Sequence, residues 1–153
     1  MIEVEVEAGD WTGSVDDVEA VVERAAVVAL GDQIRGVVVL LTDNATVRDL
    51  NARFRDQDRP TNVLSFPAAL LPDTGGSVPL GDIVLAYGVC AAEAQAQGKS
   101  LSNHLTHLVI HGVLHLLGRD HVIEAEAEAM EAEERTLLAR LGVADPYTLP
   151  HDG

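Results

Sequence analysis

Four of the six histidines of this chain fall within fifteen residues, 107 to 121, which read HLVIHGVLHLLGRDH. His107, His111 and His115 recur every four residues, so a helix would stack them on one face. All three cannot hold one metal ion. At a rise of about 1.5 Å per residue, His107 and His115 stand about 12 Å apart along the axis, beyond the reach of bonds of about 2.1 Å. Gly118 selects the pair. It follows the last leucine, where a residue in the left-handed conformation can stop a helix, and glycine adopts that conformation without steric penalty. The chain then reverses, and His121 can swing back over His111 and His115. The resulting H-x3-H-x5-H supplies three neutral imidazoles and leaves a fourth position open, the arrangement of a catalytic rather than a structural zinc.

The segment that carries these side chains is itself diagnostic. From Leu105 to Leu117 there is no Asp, Glu, Lys or Arg, and the polar side chains are Thr106 and three histidines. A helix apolar nearly all round is a buried helix, which begins near Ser100 or Ser102. Zinc peptidases place a glutamate base directly after the first histidine ligand, in H-E-x-x-H. Gly112 occupies that position here, so peptidase chemistry is disfavoured. A metal site can dispense with that base, because the metal lowers the pKa of its bound water toward about 7.

Three stretches together resemble one family. HGVLHLLGRDH at 111–121, FRDQDRPTNVLSFP at 54–67 and LGDIV at 80–84 are similar to the signature of the YbeY family of bacterial metal-dependent endoribonucleases of ribosomal RNA maturation. The resemblance runs from about Leu50 into the C-terminal helix. It departs at Arg119, where the family usually has tyrosine. It implies one zinc ion per chain on His111, His115 and His121, although such a site would also take nickel or copper by intrinsic affinity. It also implies a four-stranded sheet with the metal helix behind it, similar to zinc peptidases.

Phosphodiester cleavage also needs a group to hold charge on the phosphoryl oxygens, and arginine suits it, being always ionised and planar. The family pattern N-x-x-[FY]-R falls on Asn51-Ala52-Arg53-Phe54-Arg55 and selects Arg55 as the catalytic arginine. Arg59, beside PTNV, and Arg119 are further candidates for phosphate contact. Asp120 could orient a ligand imidazole or cap the turn. His104 and His107 are expected to line the pocket or to bond within the core, and His151 to lie on the surface.

The remaining chain supplies the frame. IEVEVE at 2–7 alternates strictly, as a strand with one wet face does. Ser14 or Asp16 can cap a helix with Val15, Val18, Val22, Ala25 and Val28 as its stripe, ended by Gly31. GVVVLL at 36–41 reads as a central strand covered on both faces. Asp43 or Asn44 caps a helix with Val47, Leu50 and Phe54 inward and Arg48 and Arg55 outward. Residues 62–66 form a short strand after Pro60, which cannot donate to a ladder and hints at an edge. The unpatterned stretch 67–79 reads as a lip of the active site. Gly81 to Tyr87 gives a strand, followed by a small-residue helix to Gly98. A last helix from about Val122 to Leu141 turns Met130, Leu137, Leu138 and Leu141 inward, and residues 144–153 form a loose tail. The order βαβαββααα defines an α+β fold: a small four-stranded mixed sheet with helices mainly on one side and the metal site on a central buried helix.

At 153 residues the chain is expected to be a single domain, 1–153. No apolar run approaches a membrane span and no basic-then-apolar leader is present. A single cysteine, Cys90, excludes an internal disulfide and suits a reducing cytoplasm, and its small-residue stretch VCAAEA, with no positive neighbour to make a thiolate, assigns it to packing. The net charge of −15, from 25 acidic and 10 basic residues, opposes general binding to polyanions. Four of the basic side chains nevertheless cluster at Arg48, Arg53, Arg55 and Arg59, while Glu124, Glu126, Glu128, Glu131, Glu133 and Glu134 read as a solvated helix face. The resemblance implies a single-strand-specific endoribonuclease with ribosomal RNA and the small ribosomal subunit as partners, acting in subunit quality control. The alternative is a ribosome-assembly binding protein with a mainly structural metal.

Overall fold

The computed structural model describes residues 2–31, 35–67, 79–118 and 124–143. The elements run β1 (Ile2–Val6), α1 (Asp10–Ser14), α2 (Val18–Leu30), β2 (Gly36–Thr42), α3 (Asn44–Arg55), β3 (Val63–Pro67), β4 (Pro79–Ala86), α4 (Tyr87–Ala96), α5 (Leu101–Leu116) and α6 (Glu124–Arg140). The strands form one mixed sheet in the order β1-β2-β4-β3. β1, β2 and β4 are parallel, and β3 returns antiparallel along β4. This is the expected α+β mixed sheet. β3 lies at the edge, where the proline-led strand was expected. The stretch 68–78 and the tail 144–153 lie outside the described residues. Among the described residues, no helix is long and apolar enough to cross a membrane.

Alternation along β2 sorts the two faces. Val37, Val39 and Leu41 are buried with Ile83 and Leu85 of β4 in a core shared with α2, α5 and α6. Each such side chain contributes on the order of 1.5–3 kcal/mol on leaving water. Leu40 and Val84 point the other way, toward a smaller cluster with Val47 of α3. On that face α3 and Val89 of α4 give less cover than the three helices opposite, so Val38 and Leu40 stay half-buried instead of sealed on both faces.

Caps place the helix ends where side-chain chemistry dictates. Asp43 accepts from Thr46 N at 2.8 Å to start α3, and Ser100 accepts from Asn103 N at 3.1 Å to start α5. Gly31 closes α2 with positive φ.

The first helical region departs from expectation. Instead of one helix with Val15 in its stripe, a five-residue α1 precedes α2, and Val15 is the extended residue that ends it. Trp11 drives the break. It is fully buried, its Nε1 donates to Thr42 O at 3.0 Å, and its ring meets Tyr87 at 5.3 Å. A short turn that sinks an indole with its N–H satisfied carries no 3.6-residue period to read.

A second correction concerns α3. Val47 is buried and Leu50 is partly so, but Phe54 is 59% exposed and Asn51 is buried instead. Asn51 Nδ2 donates to Arg59 O at 2.8 Å, folding the loop after α3 back onto the helix. Phe54 meets the edge strand through Phe66, ring to ring at 5.4 Å, and beyond an edge strand there is no further sheet to cover it.

Candidate active site

Helix α5 crosses behind the sheet with Leu105, Val109, Ile110, Val113 and Leu114 fully buried. Its histidines form a column along the adjoining face. Ring centroids are 6.4 Å apart from His104 to His107, 6.4 Å from His107 to His111, and 4.7 Å from His111 to His115. Gly118, at φ 95°, ends the helix with its N–H on His115 O at 3.0 Å. The left-handed stop is therefore where the motif requires it. Arg119, Asp120 and His121, which follow, lie outside the described residues.

A cavity of about 430 Å³ opens over this column. His107, His111 and His115 line one side of it, β3 residues Val63, Leu64 and Ser65 the other, and Asn62 and Arg55 the rim. The structure thus brings His111, His115 and Arg55 to one cavity. Arg59 is exposed on the loop after α3 and is not among the described residues that line it.

Gly112 is explained by packing. A Cβ there would meet Ile83 side-chain atoms at 3.0–3.3 Å, so this position faces β4 and not the cavity. Any side chain at this position, the glutamate of H-E-x-x-H included, would have to displace Ile83. The carbonyl of Gly112 also faces β3, where Ser65 Oγ donates to it at 3.4 Å.

The PTNV motif makes a joint. Asn62 accepts from Val63 N through Oδ1 at 2.7 Å, its backbone oxygen takes Ala86 N at 3.0 Å, and its Nδ2 donates to Glu93 Oε1 at 3.0 Å. Glu93 in turn accepts from His104 Nε2 at 2.9 Å. A chain of hydrogen bonds therefore ties the rim of the cavity through α4 to the first histidine of the column. Burial is the main force holding the His104 imidazole below its ordinary pKa, with the Glu93 contact opposing it. Cys90 is buried nearby, and desolvation pushes its thiol up to about 12. Packing is its role, as its neighbours implied.

Arg55 leaves the end of α3 and donates from Nη2 to Ser65 O at 2.7 Å, with its guanidinium carbon 5.9 Å from the Phe66 ring centroid. Arg48, on the same helix, is occupied by Asp58 at 2.8 Å, and Arg53 by Asp49 at 3.2 Å.

One site residue escaped the sequence reading. Glu134 was assigned to a solvated acidic face, yet it is 0% exposed. Its Oε1 accepts from His107 Nε2 at 2.8 Å and its Oε2 from His111 Nδ1 at 2.7 Å. A signal existed: residue 134 falls on the stripe of Met130, Leu137, Leu138 and Leu141, four residues after the first and three before the second. A carboxylate in an apolar stripe needs partners, and two histidines one turn apart on the facing helix provide them.

The donor set fits a transition metal. His111 and His115 are imidazoles one helical turn apart with ring centroids 4.7 Å apart, the i, i+4 spacing at which two histidines on one helix face can bind one zinc ion. The Nδ1 of His111 is engaged by a carboxylate, as a ligand imidazole's second nitrogen usually is.

The protein is thus of the α+β class, with a histidine-lined cavity between a buried helix and an edge strand. The family model for Endoribonuclease YbeY matches residues 5–142. The chain is 50% identical to the Endoribonuclease YbeY of Parvibaculum lavamentivorans, covering 99% of this chain and 87% of that one, and 48% identical to that of Azorhizobium caulinodans, covering 99% of both. Identity with the Paramagnetospirillum magneticum counterpart is 51%, over 95% of this chain and 94% of the relative. The solution structure of TM1509 from Thermotoga maritima superposes with a TM-score of 0.55 at 26% identity, covering 93% and 92% of the two chains. The chain belongs to the YbeY family.

Proposed function

We propose that this chain is a metal-dependent, single-strand-directed endoribonuclease that acts in ribosomal RNA maturation and small-subunit quality control. Family membership, with relatives named as endoribonucleases, supports the RNA-cleaving activity. The observation that carries the metal and phosphate chemistry is the convergence of His111, His115 and Arg55 on one cavity. His111, His115 and His121 would hold one zinc ion, with nickel as a possible replacement. Bound there, zinc would supply Lewis acidity and activate water near neutral pH.

The chain's own side chains do the rest. Arg55, on the rim, orients the scissile phosphodiester and holds the charge that builds on its oxygens. Release from Ser65 O would free its fork for bidentate contact with phosphate. Arg59 and Arg119 contact neighbouring phosphates. The β3 wall and the histidine column form a slot in which an unpaired strand can lower its backbone toward the histidines. The acidic composition makes the small subunit, not free RNA, the delivering partner.

The test is metal analysis of purified protein and of single alanine variants, alongside cleavage of single-stranded and duplex RNA. One metal per chain is expected, lost in His111→Ala, His115→Ala and His121→Ala and kept in His107→Ala. Loss of metal in His107→Ala with retention in His121→Ala would overturn the ligand assignment. Equal cleavage of duplex and single strands would overturn the substrate preference.

A further inference from the structure

We propose that Glu134 is the positioning residue of the histidine site, its buried carboxylate fixing the ring orientation and tautomer of both His111 and His107 so that His111 presents Nε2 to the cavity. Glu134 side-chain exposure is 1%, against 13% for His107 and 25% for His111. The carboxylate therefore sits behind the two rings, on the side away from the opening. An ionised carboxylate only accepts hydrogen bonds, so each ring nitrogen facing it carries a proton. For His111 that nitrogen is Nδ1, at 2.7 Å, which makes Nε2 the lone-pair nitrogen. For His107 it is Nε2, at 2.8 Å, which makes Nδ1 the lone-pair nitrogen. The same carboxylate thus gives two histidines one turn apart opposite tautomers. His111 becomes a ligand through Nε2, while His107 has its Nε2 committed to Glu134.

Placing a carboxylate in the core costs several kcal/mol unless its oxygens are satisfied. Both oxygens are satisfied here, and by the site itself. Helix α6 therefore does more than cover α5. Its register, set by Met130, Leu137 and Leu138 in the core, delivers the carboxylate to the gap between His107 and His111. The tautomer assignment rests on this geometry with Glu134 ionised; its consequence for metal affinity rests on the metal reading above.

The test uses full-length protein labelled with 15N-histidine, stripped of metal, with ring tautomers read from long-range proton–nitrogen correlations. Wild type should show the Nδ1–H form of His111 and the Nε2–H form of His107. Glu134→Gln offers one acceptor and one donor in place of two acceptors, so at least one of the two rings should change tautomer. Zinc affinity, measured by competition with a chromophoric chelator, should fall by about 10- to 100-fold. Leu138→Ala, which loosens the same helix and leaves the Glu134 carboxylate in the chain, is the control for a purely structural effect and should leave both tautomers intact. Retention of both tautomers and full zinc affinity in Glu134→Gln would overturn the proposal. So would an affinity loss matched by Leu138→Ala with the tautomers unchanged. If wild type binds no zinc while Glu134→Gln still switches a tautomer, the metal reading fails and the positioning role of Glu134 stands.

Discussion

Arg55 and Ser65 face each other across the mouth of the histidine cavity, the guanidinium Nη2 donating to the strand carbonyl at 2.7 Å. The contact ties the last turn of α3 to the edge strand. It also keeps a permanent cation on the cavity that His111 and His115 line.

Arg55→Ala is therefore expected to keep the metal and nearly all the stability, because one exposed hydrogen bond is worth only about 0.5–1.5 kcal/mol. Cleavage should fall by on the order of a hundredfold or more, the usual cost of removing one donor to developing charge. Melting curves and single-turnover cleavage of single-stranded RNA check both halves. Full activity would end the role assigned to Arg55, and loss of folding would make it structural.

Burial of His104 has a signed consequence for stability. Its pKa is lowered in the folded protein, chiefly by desolvation, so the unfolded chain takes up the proton first as pH falls. The stabilising contribution is fully present above the unfolded value of about 6.5 and is lost as pH drops through it toward the lower folded value. A single such group changes stability by at most about 1.4 kcal/mol per pH unit. In chelator, the metal-free protein should lose melting temperature between pH 8 and pH 5.5. His104→Gln, which can still donate to Glu93, should lose less over the same interval. Identical slopes for the two proteins would show that His104 does not titrate this way.

Cys90 gives a probe of the same region. With its thiol pushed up to about 12, the thiolate needed for alkylation is scarcer at pH 8 than for a free cysteine by on the order of a thousandfold. Native protein should resist iodoacetamide and react promptly once unfolded in urea. Rapid alkylation of the native state would mean that the packing of α4 against Asn62 and His104 opens readily.

What the sequence disclosed, and what it hid, follows from how each feature is encoded. The histidine helix was legible because its lack of charge and its glycine stop are local properties of fifteen residues. The Ser100 and Asp43 caps are equally local. β3 was placed at an edge by the missing N–H of a proline. Phe54 went astray because periodicity reports which residues share a face, not whether anything covers that face at the helix end. Trp11 was hidden because a five-residue turn has no period. Glu134 was lost to averaging. Among many glutamates on one helix it is distinguished by its register with Met130 and Leu138, and by a partner helix more than twenty residues earlier in the chain. His121 and Arg119 lie outside the described residues, so their assignment rests on spacing and resemblance.

The last prediction concerns how so acidic a chain meets RNA. Of the four clustered arginines, Arg48 is held by Asp58 at 2.8 Å and Arg53 by Asp49 at 3.2 Å, which leaves Arg55 and Arg59 as the candidate phosphate contacts from that cluster, with Arg119 as a further candidate by sequence. Each phosphate neutralised on a single strand contributes about −0.7 to the slope of log affinity against log salt. Two or three contacts give a slope of about −1.4 to −2, shallow for a nucleic-acid-binding protein. A net charge of −15 opposes approach further, although salt screens it beyond about 8–10 Å. Binding to free single-stranded RNA should therefore be weak and only mildly salt-dependent. On a small-subunit particle, basic protein surfaces can engage the acidic exterior, and effective concentration takes the place of intrinsic affinity. Parallel salt titrations on naked RNA and on small-subunit particles separate the two routes. Tight, steeply salt-dependent binding to naked RNA, with no gain on the particle, would refute delivery by the particle and require a basic groove built from residues beyond the 48–59 cluster.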